Sequence, residues 1–372
     1  MPDSTAKAIV TRRSVNQRLA GPRDRSAVET VARMGAIQAQ DYAAAKWAVA
    51  LRGQTASAAE IERLLDEGQI LRTHVLRPTW HFVAPADIRW LLALTASRVR
   101  VQMASTDRTL GIDDAVVRRS NKAIAKALRD GPITRTKLGE ILHRSRIDTT
   151  VPQRLGNLMM HAELDGVVCS GPRHGKQFTY ALLDARAPAT SEMSRDESLA
   201  KLAARYFSSH GPATAHDFAW WSGLTLADSR RGAAAAAECL RCETIDGHTM
   251  WSSVHEPAAP RRGPQVLLLP NFDEYYIAYK NRSHMLDTAS NANSRRWAPS
   301  LTDNLVSLDG RLVGSWKQSM SSKGVTIAAM LAHPLSASSR ARLAQQAKRY
   351  AAFLDVPLAG CTIELRDHKP TP

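Results

Sequence analysis

A pair of glutamines separated by one alanine, Gln38-Ala39-Gln40, is the first feature of the sequence that could do chemistry. Residues two apart do not share a helix face, so both side chains converge only where the backbone is extended or turning. Two carboxamides can hold a water molecule through their carbonyl oxygens and donate hydrogen bonds to a substrate oxygen. Two glutamines near a helix end are more often surface residues or caps, so the pair needs support from its surroundings.

Two histidines lie on a segment whose pattern predicts a β-hairpin turning at Arg77-Pro78. His74 and His81 could act as acid and base groups there. They could equally well bond to nearby backbone carbonyls, and the sequence leaves both interpretations open.

Metal and cofactor chemistry finds little support in the sequence. Cys239 and Cys242 are followed by His248 and His255, but a second cysteine pair is missing and the histidine spacing is wrong for a zinc finger. The sequence also lacks a glycine-rich phosphate loop, a metalloprotease helix and a nucleophile elbow. We therefore expect neither a metal ion nor a cofactor.

A set of polar and basic residues predicts contact with DNA. Four of them follow a predicted helix at helical spacing, and two stand near the tip of the hairpin after it. The six residues are Gln153, Arg154, Asn157, His161, Arg173 and Lys176. Such side chains reach base edges and phosphates from a major groove, although a solvated helix face or a protein-contact surface shows the same pattern.

The elements around this set follow the plan of a winged helix, which is three helices and a β-hairpin. Helices are predicted over residues 120–128 and 135–142, with Thr134 as an N-cap, and from Pro152 to about Leu164. Strand character on both sides of a polar turn at 171–176 predicts the hairpin.

The same plan returns along the chain. Gly131-Pro132-Ile133-Thr134 is followed 80 residues later by Gly211-Pro212-Ala213-Thr214, again before a helix and, further on, a short hairpin. An internal repeat constrains the architecture more than one motif does. A more divergent first unit, with helices over 27–34 and 58–66, would hold the glutamine pair and the histidine hairpin.

The C-terminal region changes character and predicts an α+β domain or a small β-barrel. Its predicted strands and one amphipathic helix are Val266–Leu269, Tyr275–Ala278, Arg311–Trp316, Val325–Leu331, the helix Ser338–Leu354, and Cys361–Leu365. We expect an α+β protein of tandem winged-helix units, three in number, with a barrel-like C-terminal domain. The expected boundaries are 1–110, 111–187, 188–258 and 259–372.

Composition restricts the partners. The 372 residues carry 50 Lys and Arg against 35 Asp and Glu, a formal net charge of +15 that favours polyanions. No apolar run is long enough to span a membrane, and the N-terminus lacks the plan of a secretory signal. Four cysteines in so long a chain do not make a disulfide framework. These features predict a cytoplasmic protein, which we expect to act as a monomer.

Several segments together resemble the winged-helix DNA glycosylase family of the AlkZ type, the azinomycin-resistance enzymes. The resemblance covers nearly the whole chain. The segments that carry it are Gly35–Gln40, Leu71–His74, Arg77–His81, Leu268–Tyr275, Lys280–Arg282 and Gly310–Trp316.

The resemblance implies three tandem winged helices with a C-terminal β-barrel, and a catalytic role for Gln38 and Gln40. It also implies that Arg77, His81, Lys280 and Arg282 contact DNA. Members related to housekeeping repair have an acid in place of the second glutamine, so this sequence resembles the self-resistance branch. Pro78 stands where relatives often carry glycine.

The activity that the resemblance implies is that of a monofunctional DNA glycosylase. Its substrate would be double-stranded DNA with N7-alkylated purines, including bulky adducts or interstrand crosslinks made by a genotoxic natural product. Two other classes stay open: a winged-helix regulator or DNA-shielding protein without catalysis, and an adaptor for an anionic membrane or a protein. A regulator would typically bind a symmetric operator as a dimer.

Overall fold

The computed structural model describes residues 2–54, 57–189, 191–258, 264–286 and 299–366. Within them the chain is a mixed α+β protein. None of the helices in these ranges is long and apolar enough to cross a membrane. The boundary expected at residue 259 lies outside the described residues.

Thirteen helices of four residues or more are present in the described ranges. They are α1 Pro2–Asn16, α2 Ala27–Met34, α3 Tyr42–Arg52, α4 Ala58–Asp66, α5 Pro85–Thr109, α6 Asp114–Ala127, α7 Arg135–Arg144, α8 Arg154–Leu164, α9 Arg195–His210, α10 Ala215–Ser222, α11 Leu226–Ala235, α12 Glu274–Ile277 and α13 Ala337–Phe353. The helices predicted over 27–34 and 58–66 are confirmed with the same bounds.

The strands form four sheets in the described residues. They are β1 Ile37–Gln38, β2 Leu71–His74, β3 Trp80–Val83, β4 Ile133–Thr134, β5 Val168–Ser170, β6 Thr179–Leu182, β7 Leu240–Ile245, β8 His248–Ser253, β9 Val266–Leu269, β10 Leu305–Leu308, β11 Arg311–Ser321, β12 Gly324–Leu331 and β13 Leu358–Leu365. Their orders are β1-β3-β2, β4-β6-β5, β7-β8 and β13-β12-β11-β10-β9.

The glutamine pair lies in a short extended segment between two helices. Gly35, with a φ of +79°, ends α2, since its N–H bonds back to Val31 in a conformation that glycine adopts without strain. Asp41 begins α3 by accepting a hydrogen bond from the Ala44 N–H. The residues between these caps pair with β3 in an antiparallel ladder. Of the extended and the turning backbone that the sequence allowed, the structure has the extended one at Gln38.

Residues 112–182 have a hydrophobic core of their own, formed by α6, α7, α8 and the β5–β6 hairpin. Thr134 caps α7 through its side chain, as its sequence position predicts. The prediction that Pro152 begins the third helix is wrong. Gln153 precedes the helix in a left-handed conformation with φ of +68°, and α8 begins at Arg154.

Thr214 occupies the corresponding position in the later segment. It caps α10 in a reciprocal capping box with Asp217, so both repeated Gly-Pro-x-Thr sequences begin a helix. The β7–β8 hairpin follows α11 and returns to the same turn through an isolated bridge between Ala213 and Trp251.

The C-terminal strands form an open five-stranded sheet with α13 packed across it. Strands β9 and β13 are its edges, and no closed barrel is found among the described residues. The strand predicted at Tyr275–Ala278 is wrong, because residues 274–277 form the short helix α12. Asp273 begins that helix, because its side chain accepts a hydrogen bond from the Tyr275 N–H. The apolar run that follows suits a strand as well as a helix, so the N-cap residue was the available sign of a helix.

One continuous core joins the N-terminal elements, α9–α11 and the C-terminal sheet. Trp47 of α3 donates its indole N–H to the Leu268 carbonyl of β9, at 2.7 Å. Arg52, also on α3, makes a fully buried ion pair with Asp273 at 2.8 Å. These contacts fix the segment before α12 against the helix that follows the glutamine pair.

Candidate functional site

Gln38 is held on β1 by its backbone and leaves its side-chain oxygen unused. Its N–H donates to Glu274 Oε1 at 2.8 Å. The residue is 8% exposed, and its Oε1 is buried without a hydrogen-bond partner among the described residues. A buried amide oxygen in that condition has a lone pair ready for a bound molecule.

Gln40 stands at the surface beside the same hairpin. It is exposed, and its Oε1 accepts a hydrogen bond from the Trp80 N–H at 3.4 Å. The intervening Ala39 donates its N–H to the Trp80 carbonyl at 2.6 Å, while its own carbonyl accepts from Arg72 at 3.0 and 3.1 Å. The pair is therefore divided into one buried and one exposed amide.

His81 lies directly opposite Gln38 in the β1–β3 ladder and is fully buried. Its Nδ1 lies 2.9 Å from the Thr79 carbonyl oxygen, and its Nε2 has no partner among the described residues. Burial, helped by the nearby Arg77 charge, lowers the pKa of His81 to about 3. The imidazole is therefore neutral at physiological pH.

Glu274 is a buried carboxylate directly behind Gln38, and the sequence reasoning did not single it out. Besides Gln38 it accepts from the Trp221 indole at 2.9 Å and lies 3.6 Å from His210 Nε2. Burial alone would raise its pKa, but contact with His210, the charge of Arg77 and the Gln38 N–H outweigh burial and bring it to about 2. The signal available in the sequence was an acidic residue inside an apolar run.

Arg77 lies at the strained turn of the histidine hairpin. Leu76, just before it, has a φ of +64°, and the Leu76 carbonyl packs so closely on Gly223 that a Cβ there would stand 2.1 Å from its oxygen. Two guanidinium nitrogens of Arg77 are buried without partners among the described residues, and burial lowers its pKa. A cation left in this condition is suited to an incoming anion.

Arg282 and Lys280 follow α12. The Arg282 guanidinium donates to the Tyr276 carbonyl at 2.9 Å and stands 5.2 Å from the ring of Trp220. Trp220 is 40% exposed, and its indole N–H is fixed on the Ile277 carbonyl. Lys280 is exposed. An exposed aromatic ring and two cations therefore share one surface.

The predicted residues of α8 are divided between surface and interior. Gln153 is exposed, and Arg154 donates to the Gly111 carbonyl at 3.2 Å. Asn157 and His161 both bond to Asp107 of α5, at 3.3 and 3.0 Å, and His161 is buried. The structure therefore does not bring these four together as one exposed face.

The hairpin residues of the same unit differ in a similar way. Lys176 is exposed. Arg173 is half-buried: its N–H donates to Asp66, its Nε lies 3.3 Å from Glu62, and its guanidinium covers the ring of Phe178 at 4.8 Å. Arg173 thus ties the hairpin to α4.

His74 connects the first hairpin to α8. Its ring nitrogen and its backbone N–H both bond to the buried carboxylate of Glu163, which also accepts from the Trp80 indole at 3.3 Å. Trp80 in turn lies under the Arg72 guanidinium at 4.3 Å. His74 is therefore occupied in holding the hairpin, unlike His81.

The structure shows no metal site among the described residues, because no three His, Cys, Asp or Glu side chains in them lie close enough together to hold an ion. Cys239 and Cys242 are exposed thiols. The groups available at the glutamine pair are amides, a neutral imidazole, a carboxylate and cations. Such groups can bind, orient and deprotonate a water molecule.

Water-binding groups beside cations, on an α+β chain with net charge +15, suit an enzyme that hydrolyses a bond in a polyanion such as a nucleic acid. The family model described as DNA glycosylase AlkZ-like matches residues 31–353. The chain belongs to this family of AlkZ-like DNA glycosylases, which are hydrolases of N-glycosyl bonds.

Two comparisons with individual proteins agree with this assignment. The interstrand DNA cross-link repair glycosylase of Streptomyces sahachiroi is 24% identical over 304 residues, which cover 78% of this chain and 82% of the relative. The solved structure of Streptomyces sahachiroi DNA glycosylase AlkZ matches with a TM-score of 0.78 at 20% identity, covering 95% of this chain and 98% of that one. The structural match shows a common fold.

Proposed function

We propose that this chain is a monofunctional glycosylase that removes N7-alkylated purines from double-stranded DNA. The single observation that carries the proposal is the arrangement of the glutamine pair. Gln38 presents a buried and unpartnered amide oxygen, while Gln40 stands exposed beside it on the same extended segment.

The chemistry of the substrate suits these groups. An N7-alkylated purine carries a positive charge, so its bond to the sugar is weakened and the base leaves as a neutral molecule. The enzyme need not protonate the base, but it must position water and stabilise a sugar with oxocarbenium character. Gln38 would hold that water against C1′ through its free oxygen, while Gln40, whose oxygen accepts from Trp80, would donate its amide hydrogens to a substrate oxygen. The charge of Glu274 would stabilise the developing cation from behind Gln38.

DNA would lie on the surface that carries Arg77, Lys280 and Arg282, with Lys176 and Gln153 contacting the phosphates further along. We propose that the three helix-and-hairpin segments are winged-helix units that present these residues. Asn157 and His161, bonded to Asp107, would position α8. Arg154 would hold the connection between α5 and α6 at Gly111, and Arg173 would hold the β5–β6 hairpin against α4. The protein would act on DNA in the cytoplasm as a monomer.

The adducts we propose are bulky ones and interstrand crosslinks made by a genotoxic natural product, in a self-resistance role. A bulky adduct cannot easily be flipped into a closed pocket, and an exposed amide such as Gln40 can reach a lesion that stays in place. The second glutamine, where other members have an acid, is the feature that favours this substrate class over simple methylated bases.

The test is incubation with duplex DNA that carries a defined N7-alkylguanine, scored for free base and abasic sites. Replacement of both glutamines by alanine should abolish base release and leave duplex affinity nearly unchanged. A Gln54→Ala variant, which alters an exposed glutamine after α3, is the matched control. Base release that survives the double replacement would refute the assignment. DNA binding without any base release by the intact protein would point to a regulator.

A further inference from the structure

Three polar residues stand in one row across the first sheet. Thr73 of β2 is directly opposite His81 of β3, and His81 is directly opposite Gln38 of β1. Directly opposed residues of antiparallel strands point to the same face, with Cβ atoms about 4.5–5.5 Å apart. We call Thr73, His81 and Gln38 the polar row.

Each member of the polar row is buried and has an unused polar atom. Thr73 and His81 are 0% exposed and Gln38 is 8% exposed. Thr73 Oγ1, His81 Nε2 and Gln38 Oε1 have no hydrogen-bond partner among the described residues. Buried polar atoms are nearly always bonded to protein or to ordered water, and three such atoms on directly opposed residues are suited to share one water molecule.

The donor and acceptor roles fit a water molecule. The Thr79 carbonyl can only accept, so His81 Nδ1 carries the hydrogen and His81 Nε2 has the free lone pair. Gln38 Oε1 is a second acceptor, and the Thr73 hydroxyl is a donor. A water that donates to the two acceptors and accepts from the hydroxyl has three bonds, the usual number for a buried water.

We propose that the polar row binds the water that attacks the sugar, with His81 Nε2 as the acceptor of its proton and Thr73 as its third ligand. This inference rests on the proposed glycosylase function. The water oxygen bonds to C1′ as the bond from C1′ to the purine nitrogen breaks. The electron pair of that bond leaves with the purine and cancels its positive charge. The water proton passes to His81 Nε2, and it is lost after the free base and the DNA have left the site.

The surroundings of His81 keep it in the accepting form. The charged and titratable groups nearest to it are Arg77 at the turn, Glu274 on α12 and His74 on β2. Arg77 opposes protonation before the reaction, and the Glu274 carboxylate stabilises the imidazolium once the proton arrives. Attack on a cationic sugar releases a strongly acidic proton, so even a weak base can accept it.

The test uses matched substitutions at Thr73 and His81. Thr73→Val keeps the shape and removes the hydroxyl, whereas Thr73→Ser keeps it. His81→Phe removes the acceptor, whereas His81→Gln keeps a polar group at a similar reach. The readouts are the single-turnover rate of N7-alkylguanine release at saturating enzyme, the affinity for the same duplex, and the melting temperature of each variant.

We expect Thr73→Val to lower the rate roughly tenfold and His81→Phe to lower it by about 100-fold or more, the usual effect of losing a proton acceptor. Thr73→Ser should stay within about threefold of wild type, because it keeps the donor. Affinity for the duplex should change little in all four. If His81→Phe fails to fold, the inference is tested by the two Thr73 variants and by a crystal structure of the wild-type protein.

A high-resolution crystal structure gives a readout independent of activity. A water peak should lie about 2.6–3.2 Å from both His81 Nε2 and Gln38 Oε1, and should be lost or displaced in Thr73→Val. The inference would be overturned if no water peak were found at the polar row. It would also be overturned if Thr73→Val and a folded His81→Phe released the base at the wild-type rate. The proposed function would then still stand if the double glutamine replacement abolishes release, and it would fall if that variant remains active.

Discussion

Glu274 is a fully buried carboxylate whose hydrogen bonds lead to the candidate site. A carboxylate with 0% exposure is costly unless it is paired and hydrogen-bonded, and Glu274 uses its bonds to hold Gln38 and Trp221. An amide pair has no net charge of its own with which to stabilise a cationic sugar. In the proposed reaction Glu274 would supply that charge from the layer behind, where its carboxylate accepts from the Gln38 N–H.

Replacement of Glu274 by glutamine should separate these two effects. Glutamine can still accept from the Gln38 N–H, but it removes the negative charge, so we expect single-turnover base release to fall about 10- to 100-fold with little change in DNA affinity. Trp221→Phe, which removes one hydrogen bond and keeps the charge, is the control and should have the smaller effect. Equal rates for Glu274→Gln and wild type would show that the charge is not used in catalysis.

The buried ionisable groups of the site also predict acid sensitivity of the fold. The pKa of His81 falls from 6.5 to about 3 on folding and that of Glu274 falls from 4.5 to about 2, while the pKa of buried His210 is also lowered. Below pH 6.5 the unfolded chain takes up protons at these positions that the folded chain does not, so the free energy of unfolding decreases as the pH falls.

Thermal unfolding measured from pH 8 to pH 5 should therefore show a melting temperature that is nearly constant above about pH 7 and falls below about pH 6.5. His81→Gln, which cannot titrate, should make that fall less steep. A melting temperature that does not change between pH 7 and pH 5 would contradict the assignment of His81 and His210 as neutral buried groups.

At the scale of elements, the hairpin that carries His81 is held between two parts of the chain. Glu163 of α8 binds its β2 strand through His74 and its β3 strand through Trp80. Gly223, after α10, packs closely on the Leu76 carbonyl at its turn. The hairpin thus has a fixed position against both neighbours, which a site that orients one water molecule requires.

Removal of the Glu163 carboxylate should loosen this arrangement. Because the group is buried and its partners would be left unpaired, we expect Glu163→Ala to lower the free energy of unfolding by about 3 kcal/mol in urea denaturation. Asp165, exposed at the end of the same helix and bonded to Arg100, is the matched control. Asp165→Ala should cost less than about 1 kcal/mol. Similar losses for both would mean that the Glu163 contact contributes little.

The elements that sequence could predict are those with local signals. N-caps such as Thr134 and Thr214 and alternating apolar strands such as β12 define their own boundaries. Helix α12 could not be predicted, because its four residues are all buried and so show no helical spacing of apolar and polar positions. The sequence could not distinguish an open C-terminal sheet from a closed barrel, because closure depends on whether the edge strands meet, and no local pattern encodes that contact.

The site was predictable only in part, for a similar reason. Gln38 and Gln40 are separated by one residue in the sequence, so their motif can be found directly. The opposition of Gln38 to His81 and Thr73 is a matter of strand register, which is set by the packing of β1 against β3 and β2. Glu274 reaches Gln38 across 236 positions of the chain, through contacts that α12 makes only in the folded protein.

For the whole molecule, the net charge of +15 becomes informative once the exposed and half-buried cations are located. Arg282 and Lys280 follow the helix that carries Glu274, and Lys176 lies on the hairpin of the middle segment. If DNA spans this surface, binding releases condensed counterions, and the affinity falls steeply with salt concentration. The slope of that dependence counts the phosphates that are contacted.

Single replacements of Lys280 and Lys176 by alanine should each reduce the log–log slope of affinity against salt by about 1, on damaged and undamaged duplex alike, because phosphate contacts do not distinguish sequence or lesion. Lys323→Ala is the matched control, an exposed lysine at the turn between β11 and β12, and should leave the slope unchanged. The rate of base release at saturating enzyme should be the same in all three variants, since none of these lysines belongs to the polar row. If Lys323→Ala reduced the slope as much as the other two replacements, DNA would also contact the C-terminal sheet. If Lys280→Ala left the slope unchanged, the surface beside α12 would not contact DNA.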